Sequence, residues 1–182
     1  MSARPLLSLD PDAALLTGKS EVGVWSAEDG CFLSGAVLAL DPGRTTGWCL
    51  YHPARPAQTG GFTMAGDLGA GLAAFGDWLR GMINRNNPAI VAIERPFGRA
   101  AFTNDLPAQI LGVAHMVAHR LAVSRREYTA SAIKKAVTGS GRATKAEVKR
   151  AVIERYGIAA ATDHEADAAA VAVLAWAREA QR

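Results

Sequence analysis

The sequence is poor in cysteine and has no long apolar run. Cys31 and Cys49 are the two cysteines among 182 residues, and their spacing does not form a Cys-x-x-Cys pair. Two isolated thiols are most simply interpreted as reduced and structural, as is usual in the cytosol. No apolar run reaches the ~18 residues that a membrane span requires. These absences predict a cytoplasmic protein with no membrane partner.

Several motifs that would identify a function are also missing. The N-terminus is no clear signal peptide, because Asp10 and Asp12 interrupt its apolar residues. The stretch "LLTGKS" resembles the tail of a phosphate-binding loop, but Ala13 occupies the position of the required first glycine. His115 and His119 have a spacing that zinc sites use, yet no third ligand accompanies them. We therefore assign both histidines to a helix surface or a dimer interface.

Length and composition predict one globular domain. A chain of 182 residues that is 49% hydrophobic and 20% charged has enough material for one core but not for two full-sized domains. Residues 1–35 show weak periodicity and several turn residues, so we treat them as an N-terminal extension. Residues 36–182 carry the regular patterns of the domain.

Positive charge is concentrated in one segment. Between Arg125 and Arg155, nine Lys or Arg residues stand against three Glu, so this segment has a net charge of +6 while the whole chain has +3. The rest of the chain is therefore slightly acidic. A local basic field on a modestly charged protein indicates a polyanion partner, although a solvated helix face has the same composition.

Apolar patterns predict a mixed sheet with helices on its faces. Strands are predicted at "VLAL", "GWCLY", "PAQTGGFTM", "AIVAIE" and "REYTA". Two helices are predicted at residues 68–84 and 106–122. A third is predicted at "SAIKKAVTG", where Gly139 ends it, and a fourth begins with a cap formed by Thr144 and Glu147 and ends at Tyr156. The last helix is predicted at "ATDHEADAAAVAVLAWAREAQR", with one apolar side. Strands that come first and then alternate with helices are typical of a mixed α/β sheet.

Acidic residues end two of the predicted strands and begin the last helix. Asp41 follows "VLAL" and Glu94 ends "AIVAIE", while an acidic cluster begins the final helix: Asp163, Glu165 and Asp167. His164 shares a helix face with Asp167 because the two are three positions apart in the sequence. Strand ends and a helix N-terminus can meet at one point, where divalent cations would relieve the repulsion between carboxylates. The pattern predicts Mg²⁺ or Mn²⁺, with two ions that activate water and stabilise the leaving oxygen of a phosphodiester.

Four motifs in this order resemble the RuvC family of Holliday-junction resolvases: "LALDPGRTTGW", "VAIERPF", "IKKAVTGSGRATKAEVKRAV" and "DHEADAAAVA". The resemblance extends roughly from Ala36 to Arg178. It implies an α/β, RNase H-like fold with a five-stranded mixed sheet flanked by helices, and a nuclease domain at residues 36–182. It also implies a homodimer that nicks four-way DNA junctions symmetrically in recombination and repair, with Mg²⁺ as the cofactor.

The resemblance also assigns roles to individual residues. Asp41, Glu94 and Asp167 match catalytic carboxylates that bind metal, and His164 falls where some members have Asp and others His. Phe97 matches an aromatic side chain that inserts near the junction centre. Lys134 and Lys145 match lysines that contact the DNA backbone or the active-site phosphate. The basic segment adds three further expected DNA contacts: Lys135, Arg142 and Lys149. Lys145 is also expected close to the scissile phosphate, as a catalytic residue.

Three other interpretations stay open. A nucleotide-binding protein of the actin or sugar-kinase type begins with a strand pair like "DPGRTTG", but it needs two such domains. An RNase H-fold module that binds branched nucleic acid without cutting it would not need the complete acidic set. A related nuclease that acts on other branched DNA or on RNA precursors would carry the same acidic residues.

A homodimer is expected through the helix at residues 106–122. A four-way junction has two-fold symmetry and needs two symmetric cuts, which a closed dimer with two sites supplies. One stripe of this helix is suited to pack on the sheet: Ile110, Val113, Val117 and Leu121. Met116 lies beside that stripe, and His115 and His119 are expected to face the partner.

Overall fold

The computed structural model describes residues 35–96 and 106–179. Within these ranges the strands are β1 (Val37–Asp41), β2 (Thr45–His52), β3 (Arg55–Thr63), β4 (Ile90–Glu94) and β5 (Ser124–Tyr128). The helices are α1 (Leu68–Asn86), α2 (Leu106–Arg120), α3 (Ala130–Thr138), α4 (Lys145–Tyr156) and α5 (Asp163–Glu179). The predicted α/β class is confirmed. Phe97 and residues 1–34 of the expected extension lie outside the described residues.

The five strands form one mixed sheet in the order β3-β2-β1-β4-β5. The first three strands pair antiparallel, whereas β4 pairs parallel with β1 and β5 pairs parallel with β4. Leu40 is opposite Ile93 in the β1–β4 register, so the next step of that register sets Asp41 beside Glu94. Both acids therefore lie at the carboxyl ends of neighbouring parallel strands, at one edge of the sheet.

Strand alternation decides which face of the sheet each acid occupies. Ala39 of β1 and Ala92 of β4 pack in the core cluster that includes α3, α4 and α5. The next residue of each strand, Leu40 or Ile93, packs in the cluster with α1 and α2. Successive side chains of a strand point to opposite faces. Asp41 and Glu94 therefore project from the same face as the two alanines, which is the face that α5 covers.

Helix α5 is buried along most of its length. Every residue from Ala168 to Trp176 is buried. The helix packs on β1 and β2, and α3 and α4 contact it as well. The prediction that this helix is apolar on one side was wrong, because α3 and α4 cover the side that does not face the sheet. Its many alanines permit this close packing on several sides.

Helices α1 and α2 cover the opposite face of the sheet. Ile110 and Val117 of α2 are buried there, which confirms the predicted apolar stripe. The helix ends at Arg120, before the expected position 122, because Ala122 adopts a left-handed backbone with φ of 54°. His115 was expected to face a partner, but its Nε2 lies 3.1 Å from Oε1 of Glu127 in the same chain.

The predicted helix caps are present. Gly139 ends α3 with a left-handed backbone, and Thr144 and Glu147 form the expected capping box at the start of α4. Cys49 is a free, buried thiol, and burial raises its pKa to about 12. Within the described ranges, no helix combines the length and the apolar character needed to cross a bilayer.

Candidate active site

Asp41 and His164 contact each other at the edge of the sheet. Asp41 Oδ2 and His164 Nδ1 are 3.1 Å apart, within hydrogen-bonding distance. Asp41 is the last residue of β1, and His164 is the second residue of α5. The contact therefore joins a strand end to the first turn of a helix, as the order of the motifs predicts.

Gly47 permits the close approach of α5 to the sheet. It is opposite Asp41 in the β1–β2 register. A Cβ atom at this position would overlap the backbone carbonyl of His164. Glycine within a strand often marks a site where another backbone comes close. That glycine is the available sequence signal, but it does not identify the approaching segment, and the role of Gly47 was missed.

Glu94 is half-buried beside other acidic groups. Burial raises the pKa of Glu94 to about 7, the negative charges of Asp41 and Asp167 add to the increase, and Lys145 and Lys134 oppose it. Glu94 thus interacts electrostatically with Asp41 and Asp167, the other two carboxylates that the sequence predicts at the site. A carboxylate whose charged form is destabilised in this way gains much from a nearby cation.

The environment of Asp41 has the same character. Burial raises the pKa of Asp41, the hydrogen bond with His164 opposes that increase, and the charge of Asp167 adds to it. Two neighbouring strand ends therefore carry carboxyl groups whose ionisation costs free energy in the absence of a counter-charge.

Lys145 supplies positive charge at the rim of this group. Its Nζ lies 3.5 Å from Asp167 Oδ2, and its side chain is 67% exposed. Lys145 is the first residue of α4, directly after the Thr144 cap. An exposed ion pair of this kind is weak. The ammonium group can therefore leave Asp167 for a phosphate without disturbing the core.

The side chains at the site fit a hard divalent cation. Carboxylate oxygens are preferred ligands of Mg²⁺ and Mn²⁺, and Mn²⁺ also accepts imidazole. The four predicted ligands surround one edge of the sheet: Asp41, Glu94, His164 and Asp167. In residues 35–96 and 106–179, however, no group of three or more His, Cys, Asp or Glu side chains is already placed to hold an ion.

The other two acids of the α5 cluster have structural contacts. Glu165 Oε2 accepts hydrogen bonds from Thr59 Oγ1 at 2.9 Å and Ala161 N at 3.1 Å, and Glu165 Oε1 accepts one from Thr162 Oγ1 at 3.1 Å. Burial raises the pKa of Glu165, but these hydrogen bonds outweigh it and leave the pKa below its usual value. Thr162 caps the helix, since Thr162 Oγ1 accepts a hydrogen bond from the Glu165 amide.

The basic residues expected to bind DNA fall into two groups. Lys149 Nζ donates to the Ala161 carbonyl at 3.1 Å and lies 3.4 Å from Asp163 Oδ1, so it supports the loop before α5. The other four lie on α3, on α4 and on the loop between these helices: Lys134, Lys135, Arg142 and Lys145. The basic segment is thus partly structural, and two of its lysines, Lys134 and Lys145, place positive charge near Glu94.

Comparison with known proteins identifies the family. The family model described as crossover junction endodeoxyribonuclease RuvC matches residues 37–175. A protein of that name from Anaeromyxobacter sp. is 39% identical over 112 residues, which are 61% of this chain and 54% of the relative. Another, from Frankia alni, is 36% identical over 148 residues, covering 76% of this chain and 75% of the relative. This chain thus spans about half of one relative and three quarters of the other.

The fold has a solved counterpart. The structure of Thermus thermophilus RuvC in complex with Holliday junction substrate has a TM-score of 0.65 and 24% identity, and covers 77% of this chain and 92% of that chain. At this identity the likeness shows the fold alone, and it confirms the expected RNase H-like architecture. RuvC-family enzymes are in general metal-dependent nucleases. From the family match over residues 37–175 and the identity to its members, we conclude that this chain belongs to the RuvC family of crossover junction endodeoxyribonucleases.

Proposed function

We propose that this chain is a structure-selective endonuclease that nicks four-way DNA junctions symmetrically, as a Mg²⁺-dependent homodimer in the cytoplasm. One observation carries the proposal: Asp41, Glu94 and Asp167 interact at one edge of the sheet, with His164 in contact with Asp41. Membership of the RuvC family supports the choice of substrate. The action on a junction would serve recombination and repair.

Four side chains are the proposed metal ligands: Asp41, Glu94, His164 and Asp167. A pair of divalent cations, with Mn²⁺ able to replace Mg²⁺, would supply a nucleophilic water and stabilise the leaving oxygen of the phosphodiester. The protein's contribution is a set of acids held at fixed strand ends, where burial makes their negative charge costly without a counter-charge. Removal of any one carboxylate should therefore weaken metal binding.

The lysines at the rim are proposed to bind the DNA backbone. Lys145 pairs with Asp167 and, with a side chain that is 67% exposed, is accessible to a phosphate. Lys134 acts on Glu94 electrostatically and so lies near the same acids. Each phosphate contact would release counterions and make binding depend on salt. Lys145 would also neutralise charge at the scissile phosphate.

The proposed dimer uses the exposed side of α2. Met116 is 45% exposed on this helix, and His119 is exposed one turn after His115. His115 itself contacts Glu127, so the partner contact is assigned to Met116 and His119. Two copies related by a two-fold axis would present two Asp41 sites to one junction, which matches the symmetry of two cuts.

Carboxylate variants test the proposed chemistry. Asp41→Asn, Glu94→Gln and Asp167→Asn should abolish nicking of a synthetic four-way junction in Mg²⁺ while leaving junction binding largely intact. His164→Ala should lose less activity in Mn²⁺ than in Mg²⁺. Asp163→Asn is the matched control, because Asp163 is in the same helix turn but pairs with Lys149. Full activity of Asp41→Asn in Mg²⁺ would remove the proposed site.

A further inference from the structure

A second cluster of charged side chains lies next to the strand that carries Glu94. Arg95 Nε is 3.0 Å from Glu127 Oε2, and His115 Nε2 is 3.1 Å from Glu127 Oε1. Arg95 directly follows β4, His115 is in α2, and Glu127 is in β5. The two oxygens of one carboxylate thus connect a strand end, a neighbouring strand and a helix.

This cluster is on the face of the sheet opposite the acidic site. Ile93 packs in the cluster with α1 and α2, and Glu127 is opposite Ile93 in the β4–β5 register. By alternation, Glu94 faces α5 while Arg95 faces α2. The Arg95 amide donates to the Tyr128 carbonyl at 2.8 Å, so the strand pairing continues for one residue past Glu94. The Arg95 backbone is therefore hydrogen-bonded to Tyr128, and its side chain is hydrogen-bonded to Glu127.

Glu127 is the most buried member of this bridge. The side chain of Glu127 is 25% exposed and that of His115 is 32% exposed, whereas that of Arg95 is 56% exposed. The contact of Arg95 Nε with Glu127 Oε2 is a charge-assisted hydrogen bond to a partly desolvated carboxylate, whereas His115 Nε2 lies 3.1 Å from Glu127 Oε1 without forming a hydrogen bond. The Arg80–Asp77 pair on α1 provides the contrast, because its side chains are 62% and 74% exposed. The Glu127 bridge can therefore restrain the backbone to which Arg95 belongs.

We propose that Glu127 is a positioning residue that orients Glu94 through Arg95 and ties the end of β4 to helix α2. This inference rests on the proposed nuclease function, since it concerns the orientation of Glu94, one of the proposed metal-binding carboxylates. Glu94 is the last residue of β4, where the ladder to β1 has ended at the Leu40–Ile93 pair. A side-chain anchor on the far face prevents this end from twisting. Functional groups need to be held within about 0.5 Å and 10–20° of their working geometry.

The test compares three variants of the full chain in single-turnover nicking of an immobile four-way junction. Glu127→Ala removes both contacts, and we expect the maximal single-turnover rate constant to fall about ten-fold to a hundred-fold, as small misplacements of reacting groups do. The protein concentration that gives half of the maximal rate should stay within about two-fold, because DNA binding is not involved. Glu127→Gln keeps an oxygen for Arg95 and should restore most of the rate. Asp77→Asn, which breaks the exposed pair on α1, should leave the rate unchanged.

A second readout does not depend on nicking. Mn²⁺ binding without DNA, followed by electron paramagnetic resonance, should be several-fold weaker in Glu127→Ala than in wild type. Thermal unfolding corrects both readouts for the folded fraction. An unchanged Mn²⁺ affinity and a rate loss no larger than the loss of folded protein would overturn the positioning role. If the wild-type protein cuts no junction, the proposed function fails, and the Mn²⁺ affinities still decide whether Glu127 orders Glu94.

Discussion

Asp41 at the end of β1 and His164 in the first turn of α5 are 3.1 Å apart, between Oδ2 and Nδ1, although 123 positions separate them in the sequence. Two features produce this contact. The sheet places Asp41 beside Glu94 on the face that α5 covers. Gly47, opposite Asp41, leaves room for the His164 backbone. The geometry of the site is thus set by the sheet and by one buried helix.

Gly47 should tolerate no side chain. In Gly47→Ala the new Cβ would overlap the His164 carbonyl, so the first turn of α5 must move away from Asp41. We expect the free energy of unfolding to fall by about 1–3 kcal/mol and junction nicking to fall at least ten-fold. Gly69→Ala is the control, since a Cβ there meets its nearest neighbour at an ordinary 3.4 Å. Wild-type nicking and stability in Gly47→Ala would contradict this steric role.

Glu94 should lower the stability of the metal-free protein at alkaline pH. Its pKa is about 7 in the folded chain, against the usual 4.5. The folded state therefore binds more protons than the unfolded state between these values, so the free energy of unfolding falls as pH rises from about 4.5 to 7. A shift of this size corresponds to a loss of up to about 3 kcal/mol above pH 7.

Glu94→Gln should remove this decrease in the free energy of unfolding at high pH. In the presence of a chelator, we expect the variant to be more stable than wild type at pH 8, and the difference to vanish near pH 4. Urea unfolding of both proteins across this range provides the measurement. A stability difference that does not change with pH would show that Glu94 titrates normally.

Lys145 and Lys149 should behave differently although both belong to the basic segment. Lys145→Ala should weaken junction binding and reduce the slope of log affinity against log salt by about one. Lys149→Ala removes the contacts to the Ala161 carbonyl and Asp163, so it should lower stability and leave the slope nearly unchanged. Salt titrations of the two variants distinguish these roles. An equal reduction of the salt slope in both variants would indicate that Lys149 also binds DNA.

The proposed dimer predicts a concentration-dependent mass. Sedimentation should give a species of twice the 19.1 kDa chain for the protein alone, and two chains per junction for the complex. Met116→Glu places a charge at the exposed apolar side of α2 and should shift the protein toward monomer. Leu68→Glu, at a similarly exposed apolar residue at the start of α1, is the control. A wild-type monomer under both conditions would remove the dimer.

Local signals account for most of the fold and for the acidic positions. Apolar strands that end at Asp41 and Glu94, the Gly139 stop and the Thr144–Glu147 capping box are properties of short segments, and each is present as expected. Parallel pairing of β1 with β4 then brings the two acids together. Asp41 and Glu94 could be placed from the sequence because the side-chain period of a strand is fixed.

Contacts between distant segments could not be predicted. Whether α5 is covered on one side or on several depends on where α3 and α4 pack, and an alanine-rich sequence has little periodicity to indicate it. Lys149 has the same local pattern as Lys145, and the difference between them comes from the position of the loop at Ala161. The bridge through Glu127 likewise depends on how α2 lies against β5.

The most direct measurement of the central claim is the mapping of cuts in a synthetic immobile four-way junction and in a linear duplex of the same sequence. Wild-type protein and Asp41→Asn are compared in Mg²⁺, in Mn²⁺ and in a chelator. We expect paired, symmetric nicks in the junction with either metal, little cutting of the duplex, and no nicks from Asp41→Asn or in chelator. Equal cutting of junction and duplex, or symmetric nicking that persists in Asp41→Asn or without metal, would contradict a metal-dependent junction resolvase built on this acidic site.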